Sequence, residues 1–177
     1  MSLHWQLSYA SGYIELEMFD EAMAEIESIS DEDKLKTVVL EVIVKLHTAM
    51  KNWGQALPVA RTLAKRNPKE IKWWEAWAQA TRQTSGYKNA SIIYAGASAY
   101  HPRSAIIKYH LGCYACLDGR MDEAQKLVRE AIELDDNFGL KALDDPDLSE
   151  LWQYMSVKKG VEIPSKDELL KKVAETV

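Results

Sequence analysis

The stretch IKWWEAWAQATRQTSGYKNASIIYAGASAYHP, residues 71–102, places three tryptophans within five positions and then continues with alanine and tyrosine at regular steps. Trp74, Trp77 and Ala78 are three or four residues apart, as one face of an α-helix requires. Ser85-Gly86 interrupts this spacing, and alanine and tyrosine then resume it from Ala90 onward. The stretch therefore predicts two helices joined by a short turn, with the tryptophans in their packing face.

The same pattern recurs along the chain at an interval of 34 residues. Recurrence at a fixed interval is the sequence signature of repeat architectures. When the chain is aligned with itself at this interval, each position forms a column of equivalent residues. The clearest column is entirely alanine, and it consists of Ala22, Ala56, Ala90 and Ala124. A second, mostly small column consists of Ala10, Val44, Ala78 and Gly112. Four units, 3–36, 37–70, 71–104 and 105–138, align without an insertion.

These units resemble tetratricopeptide repeats. The third unit carries the resemblance best, and the residues that match the family pattern are Trp74, Trp77, Ala78, Ala90, Tyr94, Ala97 and Pro102. The resemblance implies an all-α protein, a right-handed α-solenoid of helix–turn–helix repeats. We expect one domain over residues 1–177, in which the tryptophans fill the repeat core and bind no ligand.

After Phe138 the repeat ends, and a capping region over residues 139–177 is expected. Asp147 should begin a helix with Leu148, Leu151 and Trp152 on one stripe, which would cover the last apolar face of the array. The acidic pair at 144–145 is interpreted as a helix start in a solvated loop. Ser165 and Glu168 form a capping-box pattern that predicts a short terminal helix.

The composition excludes several classes of protein. Apolar residues make up 47 % of the chain, which is enough for a core, and a net charge of −5 gives no reason to expect nucleic acid. The N-terminal sequence indicates neither a signal peptide nor a membrane span. Two cysteines without a secretory signal are typical of a reducing compartment, so we expect a cytoplasmic protein with no membrane partner.

The sequence predicts no catalytic site and no metal site. His110, Cys113 and Cys116 are the most suggestive set, at steps of three along one helix. A structural zinc site usually needs four ligands, and no second pair completes this one. Small apolar residues, either buried or facing the groove, are the favoured interpretation of the two cysteines. We therefore expect no enzyme, no metal and no cofactor, with a metal or redox protein as a remote alternative.

Family resemblance also implies a concave groove, lined by the first helix of each unit, that holds a peptide or a partner helix. The groove positions predicted here are Lys45, Lys72, Glu75, Gln79, Arg82, Ile106, Tyr109 and Cys113. The second and third units carry net charges of +4 and +3, and Lys45, Lys72 and Arg82 would place part of this charge in the groove, so an acidic segment is the expected guest. Ile106 and Tyr109 would add an apolar anchor.

The function that follows is a non-enzymatic scaffold or adaptor for protein–protein interaction. The alternative is a structural subunit that self-associates into a homo-oligomer, with Trp5 and the tail helix as candidate contacts.

Overall fold

The computed structural model describes residues 2–159, and throughout that range every regular element is a helix. The chain falls into two compact units, Met1–Tyr100 and His101–Val177. The helices of the first unit are α1 (Leu3–Glu15), α2 (Phe19–Glu27), α3 (Asp31–Lys34), α4 (Thr37–Ala49), α5 (Trp53–Arg66), α6 (Ile71–Ser85) and α7 (Tyr87–Ser98). Those of the second are α8 (Ala105–Leu117), α9 (Met121–Leu134), α10 (Asn137–Asp144) and α11 (Ser149–Lys159). The capping box predicted at Ser165 and Glu168 lies outside the described residues.

In the first unit, helices pack as consecutive pairs. The pairs α1–α2, α4–α5 and α6–α7 are each in contact along their length, and connections of one to three residues make their members antiparallel. The α5 helix also packs on α6, and α4 contacts both α1 and α6. The helix–turn–helix units predicted from the 34-residue interval are confirmed.

The alanine column lies where paired helices cross. All four alanines are buried, at Ala22, Ala56, Ala90 and Ala124. The partner column of small residues is buried as well, and at Gly112 in the second unit the two helices approach closely. A Cβ built on Gly112 would stand 2.8 Å from Cγ2 of Val128 and 3.2 Å from the backbone nitrogen of Val128. At this crossing the helices leave no room for a larger side chain.

Each turn between paired helices uses one residue in the left-handed region. Glu17 (φ 58°), Lys51 (φ 55°) and Gly119 (φ 75°) occupy the same place in their repeats, and Gly86 (φ 84°) serves the third pair. Gly119 follows the end of α8 in this conformation. Glycine adopts this conformation without cost, whereas a side chain with a Cβ is strained in it.

Replacing Lys51 by glycine is therefore expected to stabilise the first unit, by about 0.5–1 kcal/mol in the free energy of unfolding. The strain that Lys51 carries at φ 55° disappears in the variant, although the unfolded chain gains some freedom. Urea denaturation followed by circular dichroism measures the change. Lys65→Gly, inside α5, is the matched control and should destabilise by about 1 kcal/mol. Equal losses in both variants would contradict the expectation.

The tryptophans of the opening stretch are packing residues. Trp73 and Trp74 are buried, and Trp74 stacks on Trp77 at a ring-centroid distance of 5.7 Å and on Tyr100 at 5.6 Å. The indole Nε1 of Trp74 donates a hydrogen bond of 2.9 Å to the carbonyl oxygen of Pro68. The aromatic cluster of Trp74, Trp77 and Tyr100 thus joins α6 to the backbone before it, at Pro68, and to the segment that follows α7.

The second unit contains the pair α8–α9, followed by a segment that returns to both helices. A 3₁₀ turn, Pro146–Leu148, packs against α8, and α10 and α11 pack against α9. The capping helix is confirmed, with Leu148 and Leu151 buried, but α11 begins at Ser149 rather than Asp147. The α10 helix was not predicted. Trp152 secures it by donating a hydrogen bond of 3.0 Å from Nε1 to the carbonyl oxygen of Ala142.

Candidate interaction surfaces

Polar side chains lie on the first helices of the second and third repeats, α4 and α6. Lys72, Glu75, Gln79 and Arg82 follow one another at steps of three or four residues, so they share one face of α6. Lys72 and Gln79 are exposed, while Glu75 and Arg82 are half-buried and take part in other interactions. On α4, Lys45 is exposed at the corresponding place of its repeat. We call Lys45, Lys72, Glu75, Gln79 and Arg82 the inner face.

Lys72 is held at this face by its neighbour in the sequence. Its ammonium nitrogen lies 4.4 Å from the centroid of the Trp73 ring, within the range of a cation–π interaction. Trp73 itself is only 3 % exposed. The buried ring therefore gives the exposed ammonium a defined position without neutralising its charge.

The predicted positions on α8 are different, and part of the prediction for them is wrong. Ile106 is half-buried, but Tyr109 and Cys113 are fully buried inside the second unit. The centroids of the Phe138 and Tyr109 rings are 4.8 Å apart. The ammonium nitrogen of Lys141 lies 4.8 Å from the centroid of the Tyr109 ring. Because the chain covers these side chains with its own C-terminal segment, Tyr109 and Cys113 offer no surface to a guest.

Asp145 fastens this segment to α8. Its Oδ2 accepts a hydrogen bond of 2.7 Å from the hydroxyl of Tyr109 and a longer one of 3.7 Å from the thiol of Cys113. Its Oδ1 accepts a bond of 3.0 Å from the backbone nitrogen of Asp147 and so caps the 3₁₀ turn. The interpretation of residues 144–145 as a helix start is confirmed at Asp145, which caps the 3₁₀ turn, but the solvated-loop part is wrong for this side chain because it also bonds to α8.

Burial keeps the thiols of Cys113 and Cys116 protonated. Burial raises the pKa of Cys113, and the carboxylate of Asp145 raises it further. Burial likewise raises the pKa of Cys116, whose thiol lies 4.0 Å from the sulfur of Met121. A reactive or metal-binding cysteine needs the opposite shift, toward thiolate. Residues 2–159 contain no cluster of three or more histidine, cysteine or acidic side chains able to hold a metal ion.

These raised pKa values predict that stability falls in alkaline solution. In the unfolded chain the Cys113 thiol ionises near its ordinary pKa of about 8.5, whereas in the folded protein it stays protonated. The unfolded state therefore loses its proton first, and the stability that Cys113 contributes decreases as pH rises above about 8.5. Near pH 9.5 we expect a loss of about 1.4 kcal/mol from this thiol.

Urea denaturation at neutral pH and near pH 9.5 measures this loss, and Cys113→Ala supplies the control. The difference in unfolding free energy between the two pH values should be smaller in the variant by the contribution of one thiol. The same pH dependence in the variant and the parent would contradict the prediction.

Comparisons with known proteins give the fold. No protein-family model and no curated protein matches the chain. A thermophilic TPR protein of Thermus thermophilus is similar in structure, with a TM-score of 0.59 and 19 % identity over 87 % of this chain and 83 % of that one. MamA MSR-1 is similar with a TM-score of 0.66 and 16 % identity over 97 % of this chain and 98 % of that one.

YrrB, a TPR protein with an unusual peptide-binding site, is similar with a TM-score of 0.61 and 15 % identity over 77 % of this chain and 71 % of that one. Within residues 2–159, no helix has the length and apolar character needed to cross a bilayer. The 34-residue register, the helix pairs with their buried alanine column and these structural likenesses together identify the chain as a protein of the tetratricopeptide-repeat fold.

Proposed function

We propose that this chain is a non-enzymatic, cytoplasmic scaffold for protein–protein interaction, and that its inner face on α4 and α6 binds a carboxylate-bearing peptide segment. The observation that carries the proposal is the exposure of Lys45 and Lys72 on successive first helices. On α8, by contrast, the chain's own segment covers Tyr109 and Cys113, and Cys113 is the counterpart of Lys45 in the repeat.

Charge supports an acidic guest. The two repeats that contribute the inner face, residues 37–70 and 71–104, have net charges of +4 and +3, although the whole chain is at −5. A basic surface within an acidic protein attracts and orients acidic segments and repels basic ones. Lys72, already positioned over the Trp73 ring, loses little freedom when it binds a carboxylate.

The fold supports a peptide guest. YrrB has this fold and a peptide-binding site, and we extend peptide binding to this chain as part of the proposal. Gln79 is exposed beside the lysines and supplies both a donor and an acceptor for the backbone of an extended peptide. Tyr109 and Cys113 have no part in this surface.

The test uses two fluorescein-labelled octapeptides, one with alternating glutamate and leucine and one with glutamine in place of every glutamate. Fluorescence anisotropy gives their dissociation constants at low and at physiological salt. We expect the acidic peptide to bind more tightly, with an affinity that falls as salt rises. In the variant Lys45→Glu/Lys72→Glu its binding should weaken by about tenfold.

Lys65→Glu/Lys69→Glu is the matched control, since it makes the same change of net charge at two exposed lysines outside the inner face. It should alter binding far less than the inner-face variant does. If both variants lost the same affinity for the acidic peptide, the effect would come from net charge and not from the inner face. If the parent chain bound the two peptides with equal affinity, the proposal of an acidic guest would be wrong.

Self-association is the second candidate function, because Trp5 is more than half exposed at the first helix, although the acidic charge of residues 3–36 opposes contact between two copies at this face. If it is correct, light scattering over a concentration series will show a dimer or larger species that the substitution Trp5→Gln dissociates. A monomer at all concentrations would exclude it.

A further inference from the structure

One face of α1 is apolar and uncovered. Trp5 is 54 % exposed and Tyr9 47 % exposed, and their rings stack at a centroid distance of 6.2 Å. Gly12 continues the same face one turn further, and a Cβ built on it would meet no atom within 4 Å. We call Trp5, Tyr9 and Gly12 the α1 stripe.

The repeat register shows what kind of surface this is. Adding 34 residues to each position gives Val39, Ile43 and Leu46 on α4, and adding 34 more gives Trp73, Trp77 and Ala80 on α6. Four of these six side chains are almost completely buried, and Ile43 and Trp77 are half-buried. The α1 stripe is therefore the repeat-stacking face, and only on α1 is it uncovered within the first unit.

On α6 the structure shows what covers this face. The α5 helix packs along α6, and the guanidinium of Arg61 lies 5.9 Å from the centroid of the Trp77 ring, which stands in the column of Tyr9. The α5 helix buries small and aliphatic residues, namely Ala56, Ala60, Leu63 and Ala64. Its charged residues are all basic, namely Arg61, Lys65 and Arg66. On α6 the partner of this face is therefore a basic amphipathic helix, whereas α4 contacts α1 and the acidic α2.

Two occupants of the α1 stripe, a second copy of the chain and a basic helix of another protein, can be distinguished by charge. Residues 3–36, which form the pair that carries it, have a net charge of −7. Two copies of the chain meeting at this face would bring two such acidic pairs together and repel each other. A basic helix would be attracted by the same charge, and its arginine could stack on Tyr9 as Arg61 does on Trp77.

We propose that the α1 stripe is a docking surface for a basic amphipathic helix of a partner protein, with small and aliphatic residues on its buried side and arginine or lysine beside them. This interaction goes beyond the peptide binding proposed for the inner face, and it uses none of the same residues.

The probe is a labelled peptide with the sequence of α5, residues 53–66, carrying Pro58→Ala so that its helix is uninterrupted. Fluorescence anisotropy with the full chain should show saturable binding that weakens as salt rises. A second peptide with Arg61, Lys65 and Arg66 replaced by glutamate should bind at least about tenfold more weakly.

The decisive variant is Trp5→Gln, which changes an exposed side chain and should leave the thermal unfolding temperature unchanged. We expect it to weaken binding of the basic peptide by about tenfold or more. Ile92→Gln removes another exposed apolar side chain, on α7, and should leave the affinity unaltered. Lys45→Glu/Lys72→Glu should retain basic-peptide binding, which keeps this result separate from the test of the inner face.

Three results would overturn the proposal. The first is equal affinity of the basic peptide for Trp5→Gln and for the parent chain. The second is equal affinity of the parent chain for the basic and the charge-reversed peptide. The third is a dimer, seen by light scattering, that Trp5→Gln dissociates, because a second copy would then be the occupant of the α1 stripe.

Discussion

Replacement of Trp74 by alanine is expected to lower the free energy of unfolding of the first unit by about 3–5 kcal/mol. Trp74 is buried, stacks on both Trp77 and Tyr100, and donates a hydrogen bond to the carbonyl oxygen of Pro68. Truncation removes these contacts together and leaves a cavity that the rigid helix pair cannot close. Urea denaturation followed by tryptophan fluorescence and by circular dichroism measures the loss.

Two variants separate the parts of this effect. Trp74→Phe keeps an aromatic ring but removes the indole nitrogen, so we expect a smaller loss that includes about 0.5–1.5 kcal/mol for the hydrogen bond to the Pro68 carbonyl. Trp5→Ala removes an exposed indole and should change stability by no more than about 0.5 kcal/mol. If Trp74→Ala cost no more than Trp5→Ala, the aromatic cluster would not be a packing core.

Replacement of Gly112 by alanine is expected to destabilise the second unit by about 1–3 kcal/mol, although alanine is the better helix former. The added methyl would stand 2.8 Å from Cγ2 of Val128 and 3.2 Å from the Val128 backbone nitrogen. The side chain of Val128 can rotate, but its backbone can yield only if α8 and α9 separate. Chemical denaturation monitored by circular dichroism measures the change.

Gly12→Ala is the matched control because the same substitution lies in α1, where a Cβ meets nothing within 4 Å. There the gain in helix propensity is unopposed, and we expect stabilisation of up to about 1 kcal/mol. The two variants should therefore shift stability in opposite directions. A stabilising Gly112→Ala would contradict the close crossing of α8 and α9.

Much of the fold could be predicted because the repeat makes local signals agree. The alanine column fixes where helices cross, and Ser85-Gly86 and Asp118-Gly119 mark where they turn. These features are periodic, so each unit supports the prediction made from the others. The aromatic cluster at Trp74 was correctly interpreted as packing for the same reason.

The burial of Tyr109 and Cys113 on α8 by the C-terminal segment could not be predicted from the repeat. The contact that buries Tyr109 is with Asp145, which lies 36 residues further along the chain and outside the repeat. No periodic signal connects the two, and an acidic pair before a proline is equally typical of a solvated loop. The burial of Cys113 was anticipated as one interpretation of the cysteines, but not the segment that covers it.

The burial of Tyr109 and Cys113 by residues 138–148 has a consequence for the length of the guest proposed above. If the proposal is correct, an extended peptide contacts first helices of the first unit alone, namely α1, α4 and α6. Neighbouring helices lie about 8–10 Å apart, so this track measures about 20 Å from the first axis to the third. At about 3.3 Å for each extended residue, the recognised motif would be about six residues long.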